Sequence, residues 1–402
     1  WTVCKTSNGM KHIYLDNAAA TQIEQEVQEE VGRGMKVYGN PSSFNNVGRQ
    51  ASGELAKARL IVARFLDAHQ EEIVFTSSGS EANNMAIIGV SLVAPKNRNE
   101  IITTPIEHPS VLESVKHLAS RGFKIVFVKV DQYGFVDLQD LASKINDRTL
   151  LVSVMYANNE IGTVEPINKI GKIINDFKVK NLKFKIHEKT YPFFHVDACQ
   201  AAGSLNMSVN SLQADLLTFN GSKIGGPRGV GVLYVRKGIT LAPFVLGGGQ
   251  EKGLRAGTEN LPAIMGMAKA IKLINVDESD RLAKLRDYFI DKIKKSDLGI
   301  VLNGPIDERR LPNNINISVS KLDSENLLLE LDKYGISAGS GSACTSRAVE
   351  PSHVLKAIGV DKKYLTGALR FSTGKKTTKK DIDYVLEVLP KIIKDLKNRY
   401  KK

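Results

Sequence analysis

Short runs of β-branched and aromatic residues, most of them apolar on both faces, alternate with helix-period segments between about residue 50 and residue 275. The runs fall at 72–76, 100–104, 124–130, 150–156, 193–196, 216–219 and 231–235. A strand without a polar side must be covered on both faces, so the pattern predicts an α/β fold, a mostly parallel sheet with helices packed on each side. After about residue 276 the pattern changes to a long polar helix at 278–294, a strand at 314–320, a helix at 324–333 and a C-terminal helix after Thr378. These elements predict a smaller α+β unit. The domain reading is therefore a large domain at 26–276 and a small one built from 10–25 with 277–402. No linker of Pro and Ser marks the boundary. Residues 1–9, ahead of Met10, read as a tag or an upstream extension.

A chain of 402 residues exceeds what one compact core usually holds, which agrees with two units. With 42% hydrophobic and 25% charged residues, disorder is excluded. The net charge of +13 is unevenly spread: 375–402 carries ten basic and four acidic residues, and 178–189 five lysines against one glutamate. Each run reads either as a solvated lysine-rich face or as a dock for an acidic partner, a protein or tRNA. Cys4, Cys199 and Cys344 form neither a disulfide framework nor a CxxC metal site, so a reducing compartment and no metal are expected. No apolar run reaches the roughly 18 residues of a membrane span, and no secretory leader opens the chain. The expectation is a soluble cytoplasmic protein that does not engage a membrane.

Five segments carry candidate chemistry. FTSSGSEANN, 75–84, leads from a strand into a helix, so Ser78, Gly79 and Ser80 could receive a phosphate at the helix N-terminus; the alternative is an ordinary serine N-cap. HVDACQ, 195–200, puts Asp197 at a strand's carboxyl end, where open α/β sheets bind ligands; the alternative is a turn-forming aspartate. In NGSKIGGPRGVG, 220–231, Lys223 lies between a strand and a glycine-rich turn. There it could be desolvated and form a Schiff base, or simply face solvent. A phosphate cradle, a carboxylate and a reactive lysine are together what pyridoxal 5′-phosphate requires. SAGSGSACTS, 337–346, surrounds Cys344 with small residues that cannot pack a core, which favours a nucleophile on a mobile loop over a structural cysteine. Arg370 of ALRFSTG sits on a short apolar strand, suited either to gripping a carboxylate or to a buried ion pair.

YLDNAAAT, SSGSEANN, EHPSV, NNEIGT, HVDACQ, the lysine segment, RAGTEN, GSGSACTS with VEPSHVL behind it, and ALRFSTG occur in the order seen in cysteine desulfurases. The chain resembles that family from about Tyr14 to its C-terminus. The resemblance implies a fold type I pyridoxal-phosphate enzyme of the class V aminotransferase group. The GSGSACTS form is similar to the branch with a long cysteine loop that serves iron–sulfur cluster assembly. By matching motif, Lys223 is implied to bind the cofactor's aldehyde, His108 to stack on its ring, Asp197 to pair with the ring nitrogen and Gln200 with the phenolic oxygen. Ser78, Gly79, Ser80, Asn220 and Ser222 are implied around the cofactor, with Thr258 reaching its phosphate from the partner subunit of a homodimer. Asn159, Arg370 and Asn40 are implied to hold the substrate carboxylate, and Cys344 to accept sulfur.

The implied activity converts L-cysteine to L-alanine and a persulfide on Cys344, for delivery to an iron–sulfur scaffold protein or another acceptor, tRNA thiolation being a second outlet. Direct nucleic-acid binding is not expected. The alternatives are a selenocysteine lyase or other β-lyase on the same scaffold, and a scaffold-docking protein with weak catalysis. Two departures stand out: Ser222 occupies a position usually filled by histidine, and the stretch 176–192 is longer and richer in lysine than the family's usual connection.

Overall fold

The computed structural model describes residues 12–181, 191–341 and 351–399. Its strands are β1 (Ile13–Tyr14), β2 (Ile73–Thr76), β3 (Glu100–Thr103), β4 (Lys124–Phe127), β5 (Thr149–Met155), β6 (Phe193–Asp197), β7 (Leu216–Asn220), β8 (Gly231–Val235), β9 (Ile300–Leu302), β10 (Asn314–Val319), β11 (Ile336–Ser337) and β12 (Ala368–Ser372). Seven of them form one sheet in the order β2-β8-β7-β6-β5-β3-β4. The pairs from β7 across to β4 are parallel, whereas β8 runs antiparallel to both β7 and β2. Residues 221–230 are the reason: a connection that short cannot carry a crossover, so the chain must turn straight back.

Alternation along each strand sends side chains to two cores. Ile73, Phe75, Ile102, Val152, Phe194 and Leu217 pack on one face with the helices Asn46–Phe65 and Leu261–Lys272. Val74, Ile101, Phe193, Leu216 and Leu233 pack on the other, with Gly79–Leu92 and Pro109–Ala119. The run at 124–130 ends as a strand at Phe127, because β4 is the sheet edge and pairs only with β3. Phe127 is correspondingly 47% exposed.

A separate core gathers Ile13 and Leu15 with Phe289, Ile315, Leu331, Phe371 and Ile393. It lies between the antiparallel sheet β12-β10-β9, the parallel pair of β1 with β11, and the helices Val276–Lys294, Ser324–Lys333 and Lys379–Arg399. Much of the basic charge of the C-terminal helix is answered locally: Lys379 pairs with Asp383, Lys391 with Glu387 and Arg399 with Glu330. Among the described residues no helix is long and apolar enough to cross a membrane, and no three His, Cys, Asp or Glu side chains are grouped to hold a metal ion.

Candidate active site

The carboxyl ends of β2, β6 and β7 deliver three of the candidate groups to one edge of the sheet. Asp197 is the last residue of β6 and is buried. Its Oδ2 accepts from Asn83 Nδ2 at 2.7 Å and its Oδ1 from Cys199 N at 3.0 Å. Asn83 also donates to Ser110 Oγ at 2.9 Å. Ser110 N in turn donates to His108 Nδ1 at 3.1 Å. The chain Asp197–Asn83–Ser110–His108 therefore ties the carboxylate to the imidazole. His108 N-caps the helix Pro109–Ala119 through that bond, which fixes the neutral ring's proton on Nε2. Burial pushes its pKa below the ordinary value, Asp197 pulls it back up, and Lys223 and His353 push it further down.

Lys223 closes the short turn Gly221–Lys223 that follows β7. Its Nζ donates to Ala18 O at 2.7 Å and to Ala19 O at 2.6 Å. Gln200 Nε2 reaches the same Ala18 O at 2.9 Å, so lysine, glutamine and the N-terminal segment meet at one carbonyl. Burial holds the lysine's pKa below its usual value, with Cys199 raising it and Arg370 lowering it. Ser222 Oγ donates to Asn220 Oδ1 at 3.0 Å, and Asn220 Nδ2 contacts Cys199 Sγ at 3.5 Å. The Cys199 thiol is pushed well up by burial and by Asp197, so it is held as the inert thiol rather than a thiolate.

Arg370 is 4% exposed on β12. Its guanidinium pairs with Asp16 Oδ1 at 2.8 Å and donates to Asn159 O at 3.0 Å, while Nε is buried without a partner. The ion pair that the sequence left as one option is thus present, and an unused donor remains beside it. Ser78 accepts from Glu81 N and so serves as N-cap of the helix Gly79–Leu92. Ser80 lies exposed in the first turn of that helix. Thr258 is exposed and lines a separate hollow of about 150 Å³ with Thr76, Ser77 and Arg255. Asn40 is exposed in the turn before Asn46–Phe65, where its Oδ1 accepts from Ser42 N. Among the described residues neither Thr258 nor Asn40 hydrogen-bonds to the group around Lys223. Cys344 lies outside the described residues, as does most of the 176–192 stretch.

The sequence reasoning assigned no role to Asn83, Ser110, Asp16 or the Ala18 and Ala19 carbonyls. Gly79 shows how tightly the wall beside Asp197 is drawn: an added Cβ would lie 2.6 Å from Cys199 Sγ and 2.9 Å from Asn220 Nδ2. Gly79→Ala is expected to lower stability by about 1–3 kcal/mol, read as a fall in melting temperature. Gly53→Ala is the control, since nothing lies within 4 Å of its added Cβ. On the exposed face of its helix it should stabilise by roughly 0.5–1 kcal/mol.

The family described as aminotransferase class-V matches residues 13–385. The chain is similar to the cysteine desulfurase IscS of Dictyoglomus turgidum, 43% identical over 391 residues that cover 96% of each protein. A solved NifS-like protein superposes with a TM-score of 0.86 at 36% identity, covering 96% of this chain and 100% of its own. SspA, solved in complex with cysteine, superposes with a TM-score of 0.77 at 30% identity, covering 90% of this chain and 98% of its own.

Proposed function

The chain belongs to the class-V aminotransferase family, and within it to the cysteine desulfurases; from that premise we propose that it binds pyridoxal 5′-phosphate at Lys223 and moves sulfur from L-cysteine to Cys344, releasing L-alanine. The observation that carries this reading is the amine of Lys223, drawn inward onto the Ala18 and Ala19 carbonyls and set in the electrostatic field of Asp197 and Arg370. The surroundings fit such a cofactor. Asp197 offers a buried carboxylate for a ring nitrogen, and Asn83 Oδ1 and Arg370 Nε are buried polar atoms still lacking partners.

When bound, the cofactor supplies an electron sink that accepts the pair left on the substrate carbon and so loosens the neighbouring bond to sulfur. The remaining tasks fall to side chains. Lys223, with its pKa depressed by burial, is more readily the free amine, and so is suited both to holding an aldehyde and to taking the substrate's α-proton at Nζ. Arg370 presents a guanidinium for the substrate carboxylate, with Asn159 and Asn40 as further contacts. His108 covers the ring as a neutral imidazole carrying its proton on Nε2. Gln200 keeps a second amide hydrogen for the cofactor's oxygens, Ser222 would turn its hydroxyl away from Asn220 to reach them, and Ser78, Ser80 and Asn220 frame the phosphate. The reading includes a homodimer, which supplies the partner's copy of the RAGTEN segment, and the exposed Tyr38, Phe44 and Leu246 give a second copy apolar surface to cover. A thiol that must be reduced between turnovers suits the cytoplasm. Delivery to an iron–sulfur scaffold protein accords with the IscS relative.

The test is the visible spectrum of the purified holoenzyme with and without cysteine, followed by assays of alanine and, with added thiol, of sulfide. The expected result is a yellow protein whose band shifts on adding cysteine and which then yields the two products in equal amounts. A colourless protein that takes up no pyridoxal phosphate, or one whose spectrum ignores cysteine, would overturn the proposal.

A further inference from the structure

Gly341 and Ser352, which lie on either side of Cys344 in the sequence, both lean on one carboxyl group. Glu160 is 3% exposed. Ser352 Oγ donates to its Oε2 at 2.6 Å. On the other side, a Cβ added to Gly341 would lie 2.9 Å from that same oxygen, so Gly341 packs its backbone directly against the carboxyl. Gly341 also has φ +85°, a conformation that together with this close approach leaves room for glycine alone.

Both the carboxyl and these two residues are fixed from behind. Glu160 N donates to Asn158 Oδ1 at 2.8 Å, and Glu160 O accepts from Asn314 Nδ2 at 3.0 Å and Asn316 Nδ2 at 3.1 Å. Ser352 caps the helix His353–Ala357 by accepting from Leu355 N, and His353 Nε2 donates to Glu107 O at 2.9 Å, one residue before His108. Two residues before Gly341, Gly339 exchanges two backbone hydrogen bonds with Arg370, at 2.9 Å and 2.6 Å. Burial pushes the Glu160 carboxyl's pKa up, while Ser352, His353 and Arg370 pull it down. Among the described residues no cation lies within ion-pairing distance of it. An interior carboxyl with no ionic partner lowers stability, so its placement calls for a purpose other than holding the fold together.

We propose that Glu160 is a positioning residue for sulfur transfer: through Gly341 and Ser352 it fixes the two points between which the Cys344 segment is strung. The proposal rests on the reading of Cys344 as sulfur acceptor. The physical argument is effective concentration. A tethered nucleophile meets its target at a frequency set by where its tether is rooted, and a root that wanders dilutes the thiol without altering substrate binding.

The experiment uses holoenzyme carrying Glu160→Ala, Glu160→Gln, Ser352→Ala or Cys344→Ser. Cysteine affinity is read from the change in visible absorption, and sulfur transfer from the single-turnover appearance of protein persulfide by mass spectrometry. For Glu160→Ala the affinity is expected to stay within about twofold while the transfer rate falls about ten- to hundredfold, the range set by loss of one buried hydrogen bond that leaves its partner unsatisfied. Glu160→Gln, whose amide oxygen still accepts from Ser352, should recover most of the rate, and Ser352→Ala should lose about tenfold. A wild-type transfer rate in Glu160→Ala, or affinity and rate falling together, would overturn the proposal. Should Glu160→Ala not fold, Ser352→Ala decides, and a wild-type rate there would equally overturn it. Sustained alanine production by Cys344→Ser, in which Glu160 is intact, would instead sink the reading of Cys344 on which the proposal stands.

Discussion

Lys223→Ala is expected to lower the conversion of cysteine to alanine by about three to four orders of magnitude, the combined weight of a lost nucleophile and a lost general base. The expectation follows from what the amine touches. Its Nζ is held by two backbone carbonyls at 2.7 Å and 2.6 Å, which orient it but offer no counter-charge. Burial and the Arg370 cation both favour the neutral amine. An oriented amine whose burial favours the neutral form suits the proposed covalent attachment and proton transfer, whereas a solvated surface lysine suits neither. Lys223→Arg separates these roles from simple charge. It keeps the cation but offers no nucleophilic amine, so it should be as inactive as the alanine variant. In both, the visible band should wash out on dialysis. The melting temperature of the cofactor-free protein should move little, since only two hydrogen bonds at a half-buried position are lost. Activity above about a hundredth of the parent's in either variant would remove Lys223 from its assigned role.

The fold was legible where period and length both spoke. Runs such as 231–235 are apolar throughout and end at glycine or at a charged residue, and β8 occupies those residues. The antiparallel setting of β8 could have been anticipated too, since the connection from β7 is too short for a crossover. The early end of β4 could not, because whether a run lies at a sheet edge depends on strand order, which no local pattern records.

For the site, the legible part was what a strand end and a glycine-rich turn announce locally: Asp197, Lys223 and the Gly79 helix start. The contacts that organise these groups were hidden by distance along the chain. Asn83 meets Asp197 across 114 residues, Lys223 meets Ala18 across 205, and Asp16 meets Arg370 across 354. Backbone carbonyls such as those of Ala18 and Ala19 leave no side-chain signature at all. Arg370 shows why a single residue type underdetermines its use: the guanidinium has donors enough to satisfy Asp16 and Asn159 O and still hold Nε free. Ser78 is the opposite case: its hydroxyl caps the helix Gly79–Leu92, the alternative that the sequence had left open.

Cys344→Ser is expected to leave the visible absorption and the affinity for cysteine unchanged while abolishing protein persulfide and lowering alanine production on the order of 10³-fold or more. Cys344 follows Gly341 by three residues in the sequence. Gly339, just before, is bonded to Arg370, the residue proposed to hold the substrate carboxylate. In the transfer the thiolate forms a new S–S bond with the substrate's sulfur, the C–S bond breaks, and its electron pair stays on the carbon, which takes up the proton that the substrate thiol gave up. Sulfur is oxidised as carbon is reduced, so no outside oxidant is required. A serine hydroxyl at the same place remains protonated at neutral pH and is a poor nucleophile towards sulfur, so the reaction should stop with cysteine bound. The measurement that decides is a mass spectrum of the cysteine-treated protein, in which the parent gains one sulfur atom at Cys344 and the variant gains none. If the serine variant still released alanine over many turnovers without added thiol, sulfur would be leaving by a route that bypasses the tethered thiol.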